Sequence, residues 1–122
     1  MEITARINGG YPILDLAGKL TFGPATMKLR NAIRDSAESN PRRIALNLRD
    51  VTFIDSCGLG ELVSSRDYVK SSGGNLVLFN LPDRVMSLMI LTRIETAFDV
   101  FKDEVLAIAD AQPEKTWSQM NR

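Results

Sequence analysis

The sequence predicts a single α/β domain on a mixed, mostly parallel sheet, with the element order ββαβαβαβα. Two observations carry this prediction. Short strand patterns alternate with helical patterns along the chain, and a Gly-Gly turn joins the first two strands. A chain of 122 residues has the length of one domain, which we place at residues 1–111 with its first strand at a sheet edge. The polar segment 112–122 is predicted to be a flexible tail.

The chain begins with a predicted β-hairpin. Polar and apolar side chains alternate over residues 2–7, which indicates a half-buried strand. Asn-Gly-Gly at 8–10 tolerates the positive φ of a tight hairpin turn, so a second strand is expected from about residue 11 to 17. Gly-Pro at 23–24 then opens a helix with apolar residues every fourth position, and Asn-Pro at 40–41 ends it.

The rest of the chain alternates strands with helices. Its most distinctive strand is the run Leu-Val-Leu-Phe at 76–79, because a continuous apolar run is typical of a strand buried on both faces. The predicted elements are, in order, a strand at 44–48, a loop at 49–55, a helix that ends at 71–74, the strand at 76–79, a helix that starts at 81–83, a strand at 98–101 and a helix at 103–111.

Composition excludes several classes of function. Lys plus Arg and Asp plus Glu each number 15, so no basic excess supports nucleic-acid binding. The chain has no histidine, which excludes Ser-His-Asp and Cys-His nucleophiles and the ordinary His-containing zinc sites. Its single cysteine, Cys57, excludes an internal disulfide, and we expect a small buried packing residue there. No cofactor and no enzymatic activity are predicted.

No targeting or membrane-spanning pattern is visible. The first six residues lack the basic stretch and apolar block of a signal peptide. Apolar runs extend over only a few residues, whereas a bilayer span needs roughly 20. We therefore expect a cytoplasmic protein without membrane insertion.

The segment Asp-Ser-Cys-Gly-Leu-Gly at 55–60 lies at the predicted start of the second long helix. The side chain of Asp55 or of Ser56 could accept hydrogen bonds from the free N–H groups there, which is their ordinary role at a helix start. The same N–H groups, with the small Gly58 beside them, also favour a phosphate. Spacing alone leaves both interpretations open.

An enzymatic interpretation of this segment is weaker. A dinucleotide-binding fingerprint needs a third small residue where Val63 stands, and no Gly-Lys-Ser/Thr follows for a P-loop. A small nucleotide-binding or carboxylate-based enzyme is therefore the least favoured hypothesis. A binding module is the more favoured class.

Residues 51–60, with the sequence Val-Thr-Phe-Ile-Asp-Ser-Cys-Gly-Leu-Gly, resemble the motif of the anti-sigma factor antagonists, a branch of the STAS domain family. The resemblance covers residues 1–111. It implies a protein that binds an anti-sigma factor, usually an ATP-dependent serine kinase, and so releases a sigma factor. It also implies that phosphorylation of Ser56 ends this binding, with a phosphatase as a further partner. Other STAS domains are docking subunits of lipid-transport ATPases or signalling scaffolds, and that role without phosphorylation is the alternative.

The partner-binding surface is expected around this motif. The family commonly carries a carboxylate after Gly-x-Leu at the end of the second strand, whereas Gly-Lys-Leu at 18–20 is followed here by Thr21 and Phe22. The details of kinase recognition are therefore expected to differ. The predicted partner-binding residues of this region are Thr21, Phe22, Asp55, Cys57, Gly58, Leu59 and Gly60.

The helix after Pro82 carries apolar residues on more than one side. Val85, Leu88 and Met89 fit a core stripe, whereas Met86 and Ile90 lie four positions apart on another face. We predict that these two form an exposed patch for a partner or for a second copy in a weak homodimer. The alternative is a helix wedged between the sheet and a neighbouring helix, with both side chains buried.

Overall fold

The computed structural model of the protein describes residues 1–38 and 43–109, and it confirms the predicted order ββαβαβαβα. The predicted end of the first helix at 40–41 and the tail at 112–122 lie outside the described residues. The elements are β1 (Glu2–Asn8), β2 (Tyr11–Leu20), α1 (Pro24–Glu38), β3 (Arg43–Ile54), α2 (Ser56–Ser71), β4 (Asn75–Phe79), α3 (Asp83–Leu91), a single 3₁₀ turn (Glu95–Ala97), β5 (Asp99–Phe101) and α4 (Glu104–Ile108).

The five strands follow one another in the sheet in the order of the sequence. β1 pairs antiparallel with β2, and the remaining neighbours are parallel, so the mixed sheet with β1 at its edge is confirmed. Gly9 and Gly10 form the hairpin turn with φ values of 59° and 86°. These positive angles suit glycine, and they bring Asn8 opposite Tyr11.

β3 is longer than predicted, and the loop expected at 49–55 is wrong. The strand continues to Ile54, where it pairs with Leu20 at the end of β2. The register between β2 and β3 shifts between Asp15 and Ala17 and again between Gly18 and Lys19. These shifts break the alternation of buried and exposed side chains, so this part of the strand does not show the expected period in the sequence.

The two faces of the sheet are covered unequally. On one face, α1, α2 and α3 enclose the main core, in which side chains such as Leu29, Leu62 and Met89 pack against the strands. Among the elements of residues 1–38 and 43–109, the short α4 alone covers the opposite face, and its Ala107 packs against a smaller group of buried residues. That group consists of Ile13, Ala45, Val77, Phe79 and Phe101.

A polar cluster joins the hairpin to α4 on this second face. Arg6 Nε donates to Asp15 Oδ2 at 2.6 Å, Arg6 Nη1 donates to Glu104 Oε2 at 2.9 Å, and Asn8 Nδ2 donates to the same Glu104 oxygen at 2.6 Å. The hydrogen bonds from Arg6 hold the pKa values of Asp15 and Glu104 below their ordinary values of 3.8 and 4.5. Both carboxylates are therefore ionised in the folded protein well into the acid range.

α2 begins very close to the end of β2. A Cβ atom at Gly58 would lie 2.2 Å from the Leu20 carbonyl oxygen and 3.0 Å from side-chain atoms of Leu20 and Ile54. Gly60, in the same helix turn, has nothing within 4 Å of its Cβ position. The two glycines of the motif therefore have different roles, since only Gly58 is required by packing.

Within the described residues, none of the helices is long and apolar enough to cross a membrane. In the same ranges, 1–38 and 43–109, no group of three acidic, cysteine or histidine side chains is placed to hold a metal ion.

We expect Gly58→Ala and Gly60→Ala to change stability in opposite directions. The methyl group at 58 would overlap a backbone carbonyl, so the free energy of unfolding should fall by about 2 kcal/mol. The methyl group at 60 points into open space and improves helix propensity, so stability should rise by up to about 1 kcal/mol. Urea denaturation of the two variants measures both effects, and equal shifts would contradict the packing argument.

The Arg6 cluster predicts a specific dependence of stability on pH. Because Asp15 and Glu104 have lowered pKa values in the folded state, their contribution is present above about pH 5 and is lost as the pH falls through the folded pKa values. Arg6→Gln should therefore flatten the decline of the urea midpoint as the pH falls below about 5. Lys102→Gln removes the same charge from an exposed position and is the control. An unchanged slope in Arg6→Gln would contradict this assignment.

Candidate functional site

Asp55 is the N-cap of α2 and bridges two elements. Its Oδ1 accepts a hydrogen bond from the backbone N–H of Gly58 at 2.8 Å, and its Oδ2 accepts one from the backbone N–H of Phe22 at 3.0 Å. Its own N–H donates to the Leu20 carbonyl at 3.3 Å. Asp55 therefore holds the loop after β2 against the start of α2.

The backbone donors around Asp55 stabilise its charged form. The N–H of Phe22, followed by that of Gly58, lowers the pKa of the Asp55 carboxyl below its ordinary value of 3.8. The carboxylate is thus a fixed negative charge beside Ser56 at neutral pH. Since both of its oxygens accept backbone hydrogen bonds, its geometric role is structural.

Ser56 is the first residue of α2, and its side chain is exposed. Because Asp55 caps the helix, the Ser56 hydroxyl has no part in capping. It makes no hydrogen bond within the described ranges 1–38 and 43–109. Of the two side chains that could have capped the helix, Asp55 is the one that does so, and the Ser56 side chain is exposed to solvent.

Cys57 is exposed beside Ser56, so the expectation of a buried packing residue at this position is wrong. Cys57 faces solvent in the first turn of α2, whereas Gly58 and Leu59 are buried and make the inward contacts. No signal in the sequence separates an exposed cysteine from a buried one at this turn.

The remaining residues of the predicted surface divide into an outer set and a supporting set. Phe22 is 78% exposed and Gly60 is also exposed, whereas Thr21 is partly buried. Gly58 and Leu59 are buried beneath the first turn. The residues that a partner could touch are therefore Phe22, Ser56, Cys57 and Gly60, with Gly58 and Leu59 holding them in place.

An ion pair between Arg30 of α1 and Glu61 of α2 joins the two helices one turn after Ser56. Glu61 is buried, and its Oε1 accepts from Arg30 Nη2 at 2.7 Å, while Ser65 Oγ donates to its other oxygen at 3.3 Å. The hydrogen bond to Glu61 raises the pKa of Arg30. Glu61 thus adds no free negative charge near Ser56, and Asp55 is the carboxylate next to that hydroxyl.

The exposed patch predicted on α3 is wrong for Met86. This side chain is 7% exposed and lies in the main core with Val85 and Met89, whereas Ile90 is 37% exposed. The buried face of α3 consists of Val85, Met86 and Met89, whereas the predicted face had Leu88 in place of Met86. As a consequence Leu91, which follows Ile90, is the outward apolar residue of this helix at 80% exposure.

An apolar groove between the end of β3 and α3 was not anticipated. It has a volume of about 310 Å³ and is lined by Phe53, Ile54, Arg84, Val85, Ser87, Leu88 and Leu91. The groove residues contributed by α3 lie at positions 84, 87, 88 and 91, a spacing that places them on one face of the helix. That spacing is visible in the sequence, although Arg84 and Ser87 hide its apolar character.

The start of α2 has features that suit a negatively charged group on Ser56. The chain has no histidine that could act as a general base for the Ser56 hydroxyl. A phosphoryl group on Ser56 would lie at the N-terminus of a 16-residue helix, where the helix dipole favours negative charge.

Comparisons with known proteins agree with this geometry. Residues 2–107 match the STAS domain family. The chain is 32% identical over 87 residues to the anti-sigma-B factor antagonist of Bacillus subtilis, covering 71% of this chain and 78% of that protein.

Two solved structures share the fold. An anti-sigma factor antagonist from Mycobacterium paratuberculosis has a TM-score of 0.74 at 18% identity, covering 88% of this chain and 90% of the other. The phosphorylated form of the Bacillus cell fate determinant SpoIIAA has a TM-score of 0.64 at 16% identity, covering 85% and 95%. On the family match and the sequence relative together, the chain belongs to the STAS domain family, in the branch of the anti-sigma factor antagonists.

Proposed function

We propose that this protein is an anti-sigma factor antagonist that binds an anti-sigma factor with serine kinase activity and is released by phosphorylation of Ser56. The observation that carries the proposal is that Asp55, and not Ser56, caps α2. Asp55 makes the capping hydrogen bonds, so the neighbouring Ser56 hydroxyl is exposed and chemically available. In this proposal the protein is a binding module of the cytoplasm, with a phosphatase that restores its active form.

The comparisons support the proposal from two sides. The sequence relative in Bacillus subtilis is named as an anti-sigma-B factor antagonist. SpoIIAA, which shares the fold, has a structure in a phosphorylated form. The structure of this chain adds a third support, because Ser56 is exposed at the first residue of α2.

Phosphorylation would act on binding through charge. A phosphoserine adds about −1.5 to −2 charges at neutral pH and three strong acceptor oxygens. The charge would face the positive end of the α2 dipole, which stabilises it, and the Asp55 carboxylate, which opposes it. These effects offset each other within the domain, whereas a partner surface that covers Ser56 would have to accommodate the whole added charge.

We therefore expect phosphorylated Ser56 and Ser56→Asp to weaken binding to the kinase at least about tenfold, which equals about 1.4 kcal/mol. The melting temperature should stay close to that of the wild type. Ser56→Ala should bind as tightly as the wild type and should remain bound in the presence of ATP, because it cannot be phosphorylated. Isothermal titration calorimetry with a purified serine kinase from the same organism, with and without ATP, measures these differences.

Ser64→Asp is the matched control, because Ser64 is an exposed serine further along the same helix. Its affinity for the kinase should stay within about twofold of the wild type. Equal affinities for Ser56→Asp and the wild type would contradict the switch and would favour a docking subunit without phosphorylation. Phosphate located on another residue by mass spectrometry would contradict it as well.

A further inference from the structure

The outer edge of β1 is an unpaired strand edge. β1 stands at one end of the sheet and pairs with β2 alone among the described elements, so alternate N–H and C=O groups of its backbone point away from the sheet. The strand at the other end of the sheet, β5, has three residues, whereas β1 has seven. β1 therefore offers a long edge to which another strand can be added.

β1 lacks the features that commonly prevent such addition. Proteins protect edge strands with proline, lysine or bulges, or by keeping them short. The strand Glu-Ile-Thr-Ala-Arg-Ile-Asn contains neither proline nor lysine, and its register with β2 runs without a shift from Glu2 to Asn8. Its one basic residue, Arg6, is held over the second face of the sheet by Asp15 and Glu104. The edge is thus regular over its whole length.

We infer that β1 is a self-association strand, through which two copies of this chain pair antiparallel along Glu2–Asn8. The two five-stranded sheets then form one continuous sheet. In this register Ala5 of one copy lies opposite Ala5 of the other, and every residue of the strand has a residue of the second copy opposite it.

The apolar side chains of β1 favour a second copy as the occupant of the edge. Ile3 and Ala5 are paired with Leu16 and Leu14 of the main core, so the odd-numbered residues of β1 lie on that face. Ile7 lies on the same face but is 74% exposed. The proposed register places Ile3 of each copy directly opposite Ile7 of the other, so the two side chains cover each other at both ends of the contact.

The polar side chains of β1 are compatible with the same pairing. The even-numbered residues lie on the second face, where Arg6 and Asn8 contact Glu104. The register places Glu2 of one copy opposite Asn8 of the other, and Thr4 opposite Arg6. Like charges are therefore not directly opposed, and the acidic and basic side chains of the two strands are diagonal neighbours.

The charges around Arg6 also select this register over the nearest alternative on the same face. A shift by two residues would place Glu2 of one copy directly opposite Arg6 of the other. Arg6 already donates to the carboxylates of Asp15 and Glu104, so a third carboxylate would be repelled by the first two. The pairing along the full strand avoids this contact.

The contact is small, and it leaves the proposed switch accessible. Seven paired residues extend over about 24 Å, and one added strand buries less than the roughly 1,200 Å² of a stable interface. We expect a weak dimer with a dissociation constant of about 10 μM to 1 mM. Antiparallel pairing directs the carboxyl ends of β2 and β3 of the two copies in opposite directions, so Ser56 stays exposed in both. The inference therefore does not rest on the proposed function.

A first test measures association of the purified protein alone. Sedimentation velocity of the wild type between about 10 μM and 1 mM should show a monomer that converts to a dimer. Ile7→Glu should weaken the dimer at least about tenfold and leave the melting temperature nearly unchanged, because this side chain is largely exposed in the monomer. A wild type that stays monomeric at about 1 mM, or equal association of Ile7→Glu, would overturn the inference.

Val105→Glu is the matched control for this measurement. Val105 is 75% exposed, close to the exposure of Ile7, but it lies on α4 and not on the strand edge. Its dissociation constant should remain within about twofold of the wild type. Ser56→Asp should also dimerise like the wild type, so this result does not depend on whether the phosphorylation switch exists.

A second test determines the register with single cysteines, in a Cys57→Ser background because Cys57 is exposed. Oxidation with diamide should link Ala5→Cys into a dimer, since directly opposed residues have Cα atoms about 4.5–5.5 Å apart, within the range of a disulfide. Thr4→Cys should not be linked, because the two copies of position 4 are displaced by two residues along the strands. Val105→Cys is the control for random collision. Linkage at position 4 in preference to position 5, or no more linkage at position 5 than at 105, would overturn the proposed pairing.

Discussion

The candidate site depends on a close approach between the backbone of α2 and the backbone at the end of β2. The first turn of α2 lies so near the Leu20 carbonyl that a methyl group at position 58 would overlap it. With the two elements in contact, one carboxylate can reach both, and Asp55 binds the N–H groups of Gly58 and Phe22 at the same time. The loop that presents Phe22 and the turn that presents Ser56 are therefore parts of one rigid corner. Preorganisation of this kind lowers the entropy that a partner must remove on binding.

The parallel strands explain why the exposed features gather at one end of the molecule. β2, β3 and β4 run in the same direction, so the segments that follow them leave the sheet at the same edge. Phe22 follows β2, Ser56 follows β3, and Arg84 lies in the first turn of α3, the helix after β4. Sites at the carboxyl ends of parallel strands are a general property of such sheets. Here that edge also carries the groove, since α3 leaves Leu91 and Leu88 facing the end of β3.

Most of the fold could be predicted from local patterns, because the hairpin turn, the Gly-Pro helix start and the apolar run of β4 each have a direct physical cause. The predictions that are wrong concern features that depend on contacts between distant parts of the chain. The second half of β3 could not be recognised, since its pairing with β2 shifts register and its side chains lose their alternation. The sequence does not show that Met86 is buried and Leu91 exposed, since the rotation of a nine-residue helix depends on what packs against it. At the site, Ser56 and Asp55 were found by their motif, but which of them caps the helix depends on the loop after β2.

The Arg6 cluster has a consequence for the order in which the chain can be completed. Each strand pairs with its neighbour in sequence, so the sheet can grow from the hairpin onward through contacts between nearby segments. The contact between Arg6 and Glu104 is different, because it joins positions 98 residues apart, and closing so long a loop carries a larger entropic cost than local pairing does. During synthesis, Arg6 and Asp15 leave the ribosome long before the carboxylate that completes their cluster. The second face of the sheet therefore stays uncovered until α4 has emerged, and in that interval the apolar side chains of Ile13, Ala45 and Val77 lack the cover that Ala107 gives them in the complete domain.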